Sequence, residues 1–198
     1  MVVIARAAVY CGSSPGRDRA HRATAAALGR GLAEAGVEVV YGGGHVGLMG
    51  TMADAALGAG GAVTGVITEA LVAAEIAHPG LTRLVTVGSM HERKQVMSDL
   101  ADAFVMLPGG YGTLDEFFEA LTWAQLGIHA KPCAVLDPTG YFTPLLGLLD
   151  AAVEERFVSE ANRALVITAT EVDALLAGLR SWTPPPGGGK WLDRAPRP

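Results

Sequence analysis

One stretch constrains this chain more than any other: Leu107-Pro108-Gly109-Gly110-Tyr111-Gly112-Thr113-Leu114-Asp115-Glu116. Upstream lies Ala103-Phe104-Val105-Met106-Leu107, a short apolar run of strand type. Downstream, Leu114, Phe117, Phe118 and Leu121 recur at helical spacing. The glycines therefore belong in a turn that carries a buried strand into a helix. Without a Cβ, glycine lets backbone N–H groups approach a ligand, and a helix N-terminus adds unpaired donors and partial positive charge. That combination predicts an anion cradle, suited to a phosphate. A structural reading competes with it: Thr113-x-x-Glu116 also fits a capping box, with Thr113 capping the helix and Glu116 returning to the Thr113 N–H.

The remaining elements alternate. Ala7–Cys11 reads as a first strand ending at Gly12-Ser13-Ser14-Pro15-Gly16, and an alanine-rich helix over Arg19–Ala35 is closed by Gly36. A second strand, Val37–Tyr41, runs into the glycine turn Gly42–Gly47, followed by a helix over Leu48–Leu57 and a strand over Ala62–Ile67. Thr68–Gly80 reads as irregular, Leu81–Val87 as a further candidate strand, and Ser89 as the start of the next helix. Beyond the central turn come strand Cys133–Leu136, helix Tyr141–Glu155, strand Ala164–Ile167 and helix Glu171–Leu179. This order predicts an α/β fold, a Rossmann-like doubly wound parallel sheet in a single domain over residues 1–182. Residues 183–198, with Pro184-Pro185-Pro186-Gly187-Gly188-Gly189, read as a flexible tail in which Trp191 offers one docking point.

Composition narrows the function. The 198 residues are half apolar, enough for a substantial core, and the net charge of −5 argues against a broad nucleic-acid-binding face. Cys11 and Cys133 are far apart and lie in apolar runs, as buried free thiols of a reducing compartment would. No long apolar segment or cleavage site is visible, so a cytoplasmic protein without a membrane partner is expected.

Ser89-Met90-His91-Glu92 forms a second capping box, and Arg93-Lys94 follow at once. Cations this close to a helix N-terminus oppose its dipole. A local rule is often broken at a functional site, and a nearby carboxylate or phosphate would relieve the conflict. Arg93 lies between Met90 and Met97 at helical spacing, so its stem should be partly buried. The bland alternative is an exposed pair bridged to Asp99 or Asp102.

Other signals are weaker. Gly42-Gly43-Gly44-x-x-Gly47-x-x-Gly50 resembles a dinucleotide fingerprint only loosely; with Glu69 some 20 residues on, it supports a nucleotide-contacting loop but establishes no NAD site. Glu75 sits in a polar loop, where a solvated carboxylate is the default. His45, His78, His91 and His129 show no metal-ligand spacing and His21 lies on a polar helix face, so no metal is expected. A G-x-S-x-G nucleophile elbow is absent as well.

Pro108-Gly109-Gly110-Tyr111-Gly112-Thr113-Leu114-Asp115-Glu116 together with Ser89-Met90-His91-Glu92-Arg93-Lys94 resembles the LOG (LONELY GUY) family of cytokinin riboside 5′-monophosphate phosphoribohydrolases, whose hallmark is P-G-G-x-G-T-x-x-E. The similarity also takes in Tyr41–Gly50 and Thr122-Trp123-Ala124-Gln125-Leu126-Gly127, up to about Val158. The resemblance implies hydrolysis of the N-glycosidic bond of a nucleoside 5′-monophosphate, cytokinin nucleotide or AMP, without metal or cofactor. It implies a homodimer with active sites near its interface. The family's catalytic arginine and glutamate fall on Arg93 and Glu116, its phosphate loop on Gly109, Gly110, Tyr111, Gly112 and Thr113, and further ligand contacts on Glu75, Lys94 and Thr122. Thr122 is about 120° round an ideal helix from Glu116, so it would serve the base side or the partner's site. Three rivals remain: a non-catalytic nucleotide or molybdenum-cofactor carrier of the same fold, a lysine decarboxylase, which needs a lysine Schiff base with pyridoxal phosphate, and a broader nucleotide nucleosidase acting on AMP.

Overall fold

The computed structural model describes residues 3–74 and 76–185. Glu75 and most of the Pro/Gly-rich tail, Trp191 included, lie outside them. In chain order the elements are β1 (Arg6–Tyr10), α1 (Arg19–Glu34), β2 (Glu38–Tyr41), α2 (Gly47–Gly58), β3 (Val63–Thr68), α3 (Glu69–Ala73), β4 (Arg83–Val87) and α4 (Met90–Leu100). They continue with β5 (Ala103–Met106), α5 (Tyr111–Leu126), β6 (Cys133–Leu136), α6 (Thr143–Glu154), α7 (Glu160–Arg163), β7 (Val166–Ala169) and α8 (Val172–Ser181).

All strands join one parallel sheet in the order β4-β3-β2-β1-β5-β6-β7. The chain winds outward from β1 in one direction, then returns to start the other half at β5. β1 and β5 are thus neighbours, with Ala7 opposite Ala103 and Tyr10 opposite Met106. Helices cover both faces, which is why the central strands are apolar at every position rather than alternately. Along β1, Ala7 and Val9 point into a core formed with α1, α2 and α8, including Leu28, Met52 and Leu175. Ala8 and Tyr10 point into the opposite core with α4 and α5, including Met97 and Phe117. The expected Rossmann-like fold is present.

Boundaries differ from expectation where side chains compete for backbone groups. The stretch expected to be irregular contains α3, a short helix with no buried residue. The last strand starts two residues later than its apolar run suggested. The reason is α7, where the Ser159 hydroxyl accepts from the Asn162 N–H and commits the chain to a helical turn first. Trp182, at the end of α8, donates its indole N–H to the Ala130 carbonyl at 3.3 Å. Among the described residues no helix is long and apolar enough to cross a membrane.

Candidate active site

In an open parallel sheet, ligands bind outside the carboxyl ends of the strands where the winding reverses. Here that point lies between β1 and β5, and it is built from two glycine turns. The Gly12 N–H donates to the Pro108 carbonyl at 3.0 Å, stitching the turn after β1 to the turn after β5. The Gly12 carbonyl accepts from the Leu48 N–H at 3.0 Å, which seats the start of α2 beside them. A Cβ on Gly109 would stand 2.8 Å from the Gly12 amide nitrogen and would collide with Thr113 Oγ1. Only glycine permits these turns to close.

The capping-box reading of the central motif fails. Helix α5 begins at Tyr111 with Gly110 as its N-cap and no side-chain cap bond. Thr113 is thus already in the first turn, buried at 4% exposure, and Glu116 is free to face elsewhere. It faces Arg93: Nη1 lies 3.1 Å from Glu116 Oε1, with the two side chains 9% and 12% exposed. The N-terminal amides of α5 are left without a side-chain cap, as an anion cradle requires.

Arg93 is held from several sides. Its Nε donates to the Val66 carbonyl of β3 at 2.9 Å, and Nη1 lies 3.9 Å from Met90 Sδ. Gly42, at the end of β2, packs against it, and any Cβ there would overlap Nη2. Of the second capping box, one half forms as expected: Ser89 Oγ accepts from the Glu92 N–H at 3.2 Å. The Glu92 carboxylate reaches one residue further back, to the Gly88 N–H at 2.9 Å. The unfavourable cations at the start of α4 are answered by carboxylates of α5. Lys94 Nζ sits 3.2 Å from Asp115 Oδ2 and 3.1 Å from Glu119 Oε1. Asp99 and Asp102 are engaged elsewhere, with Gln95 and with the amides of Ala5 and Arg6.

Burial pushes the Glu116 carboxyl above its ordinary 4.5, and the Arg93 guanidinium offsets part of that rise. Burial would lower the Lys94 ammonium, but its hydrogen bonds to Glu119 and Asp115 outweigh this and hold it above 10.5. Cys11 borders the cleft, yet burial and the Glu116 charge keep its thiol protonated. Among the described residues no group of His, Cys, Asp and Glu side chains could hold a metal ion.

Arg93, Glu116, Gly110, Tyr111, Gly112 and Thr113 line one cleft of about 620 Å³, whose apolar wall includes Met49, Ile76 and Met90. Gly109 faces a neighbouring cleft of about 740 Å³, bordered by Tyr141 and His21, on the other side of Gly12, Ser13 and Gly110. Lys94 and Thr122 line neither. The Thr122 hydroxyl donates to the Phe118 carbonyl on the exposed side of α5. Glu69, considered as a ribose ligand, is exposed at the start of α3. Sequence reasoning missed Gly12 and Ser13 as cleft residues, because only the strand order places β1 beside β5. It also missed the Lys94 clamp, although Asp115 and Glu119 carry like charges at i,i+4, a repulsion that a cation should relieve.

A family model described as "possible lysine decarboxylase" matches residues 49–179. Over 174 residues the chain is 48% identical to the cytokinin riboside 5′-monophosphate phosphoribohydrolase of Rhodococcoides fascians, covering 87% of this chain and 88% of that protein. It is 43% identical over 192 residues to the cytokinin riboside 5′-monophosphate phosphoribohydrolase LOG of Oryza sativa subsp. japonica, covering 96% and 79%. Among solved structures, the molybdenum cofactor binding protein of Rippkaea orientalis superposes with a TM-score of 0.66 at 20% identity, over 89% of this chain and 95% of that one. The molybdenum cofactor carrier protein of Chlamydomonas reinhardtii gives 0.64 at 22%, over 88% and 94%. At these identities the structural likeness speaks for the fold alone.

Proposed function

Because this chain belongs to the LOG family of cytokinin riboside 5′-monophosphate phosphoribohydrolases, we propose that its smaller cleft binds a nucleoside 5′-monophosphate with the phosphate at Gly110–Thr113 of the glycine turn and the ribose over Glu116. The chain hydrolyses the N-glycosidic bond of cytokinin riboside 5′-monophosphates, giving free base and ribose 5-phosphate. The observation that carries the residue assignment is the buried Arg93–Glu116 pair, one helical turn beyond the uncapped amides of α5.

The chemistry follows from that placement. As the C1′–N bond breaks, its electron pair leaves with the base and positive charge develops on the ribose, as in glycoside hydrolysis. The Glu116 carboxylate lies where it can stabilise that charge. It can also take a proton from the water that adds to C1′, which balances the proton that the departing base nitrogen takes up. Arg93, too basic to surrender a proton readily, orients the Glu116 carboxylate and completes the positive edge that draws the substrate anion. Binding energy from the remote phosphate is thereby used to position the reacting carbon. The apolar wall of Met49, Ile76 and Met90 suits a purine with an apolar substituent better than a charged group.

Two other readings are disfavoured by specific contacts. A cofactor or nucleotide carrier has no need of a charged carboxylate–guanidinium pair buried at the cleft floor. A decarboxylase would need a lysine able to lose its proton, whereas Lys94 is fixed between Asp115 and Glu119 and held protonated. In the same proposal the protein is a cytoplasmic homodimer with its clefts near the interface. Tyr111, 94% exposed, and Met90, 47% exposed, at the cleft support a second copy there, and a partner's α5 could bring Thr122 to that site. Incubation of the purified protein with isopentenyladenosine monophosphate, its riboside and AMP tests the assignment. Release of base from monophosphates but not from the riboside is expected. Equal turnover of riboside and monophosphate would remove the glycine turn from the mechanism.

A further inference from the structure

The loop between β6 and α6 reaches across to the glycine turn without contributing to the Arg93–Glu116 pair. The Tyr141 hydroxyl donates to the Gly109 carbonyl at 2.7 Å. Its ring is braced edge-on by Phe142, with centroids 4.9 Å apart, and by His21 at 5.6 Å. Its backbone is braced too. Asp137, at the end of β6, accepts from the Tyr141 N–H at 2.9 Å through one carboxylate oxygen and from the Phe142 N–H at 2.7 Å through the other. Tyr141 is therefore a fixed post, although it is half exposed.

What it fixes is a peptide plane. In a trans peptide the N–H of one residue points opposite to the carbonyl of the residue before it, and the described residues contain no cis bond. The Pro108 carbonyl accepts from the Gly12 N–H, the Gly109 carbonyl from Tyr141, and the Gly110 carbonyl from the Leu114 N–H. Each tie fixes one peptide plane, so the N–H groups of Gly109, Gly110 and Tyr111 each point away from the group that holds the preceding carbonyl. Of the ties, only the one from Tyr141 comes from a side chain. Glycines on both sides of that peptide leave it otherwise free to rotate.

We propose that Tyr141 is a positioning residue for phosphate recognition: its hydroxyl sets the Gly109–Gly110 peptide so that the Gly110 N–H faces the phosphate of the substrate. The proposal rests on the phosphate being held by the glycine turn. Tyr141 touches neither base nor ribose in this scheme, so its loss should weaken binding of any ligand that carries the 5′-phosphate and leave bond cleavage in the bound complex nearly intact.

Tyr141→Phe keeps the ring and both edge contacts while deleting the donor. Calorimetric titration with ribose 5-phosphate is the direct test, because it reads phosphate recognition without catalysis. A five- to tenfold rise in Kd is expected, about the range for loss of one neutral hydrogen bond, with KM for the monophosphate raised alike and kcat within about twofold. Asp137→Asn loosens the post without removing the hydroxyl and should shift Kd the same way by less. The double variant should be no worse than Tyr141→Phe alone, since both act through one hydroxyl. Wild-type Kd in Tyr141→Phe, or a loss confined to kcat, would overturn the proposal. Failure of the wild type itself to bind ribose 5-phosphate would instead overturn the phosphate assignment of the turn, a separate result.

Discussion

Gly42 at the end of β2 lies directly against the guanidinium of Arg93, so closely that any side chain at position 42 would occupy the space of Nη2. Arg93 cannot retreat, because its Nε is bound to the Val66 carbonyl and its Nη1 to Glu116. Gly42→Ala should therefore displace the guanidinium and lower kcat/KM by at least about tenfold, because small misplacements in a charged site are costly. The fold should survive, with a melting temperature reduced by a few degrees. Steady-state kinetics beside a thermal melt check both statements. Full activity in Gly42→Ala would mean that the position of Arg93 is not critical.

The pH dependence follows from Glu116. Burial raises its carboxyl above 4.5 against the opposing pull of Arg93, and the reaction needs the ionised form. The acid limb of kcat/KM should accordingly lie above the ordinary glutamate range. Arg93→Gln removes the lowering influence, so the limb should move to still higher pH in the residual activity. The sign for stability is the reverse of the usual carboxylate case. A raised folded-state value means that the stabilising proton on Glu116 is fully bound below about 4.5 and is lost as pH rises through the raised value. Glu116→Gln should then melt higher than wild type at neutral pH, and the gap should narrow in acid. A gap that widens on acidification would contradict the assignment.

Lys94 clamps α4 to α5 through Asp115 and Glu119, the residues flanking Glu116 on that helix. We expect Lys94→Met to lower the melting temperature by a few degrees and turnover several-fold, while changing KM for the monophosphate little. Such partly exposed pairs contribute modestly to stability. A large rise in KM with stability intact would instead place the ammonium on the substrate.

The alternation of strands and helices, the glycine turn after β5 and the dipole conflict at Arg93-Lys94 are local signals, and all are legible in the amino-acid sequence. The conflict correctly demands an anion, but sequence cannot say that the anions are Glu116, Asp115 and Glu119. That requires α4 and α5 to lie side by side, a matter of tertiary packing. The capping box at Thr113 misleads for a related reason. The motif fits the spacing, but Gly110 starts the helix earlier, because the turn is closed by Gly12 from a distant strand. Gly12 and Ser13 become cleft residues only because β1 neighbours β5. Tyr141 carries no motif, and only the crossing of the loop after β6 to Gly109 makes it visible. Thr122 matches the family pattern, yet within one chain it lies on the exposed side of α5 and away from the cleft.

Glu116 acts through its charge, and Glu116→Gln tests this most directly. The amide preserves size and can still accept from Arg93 Nη1, so binding of ribose 5-phosphate should stay within about threefold of wild type while the charge facing the ribose is gone. A pre-organised charge facing a developing one is worth several kcal/mol, or about two to three orders of magnitude in rate. Single-turnover release of free base from the bound monophosphate should therefore fall at least about a hundredfold. Release at the wild-type rate by a folded, ligand-binding Glu116→Gln protein would contradict the account.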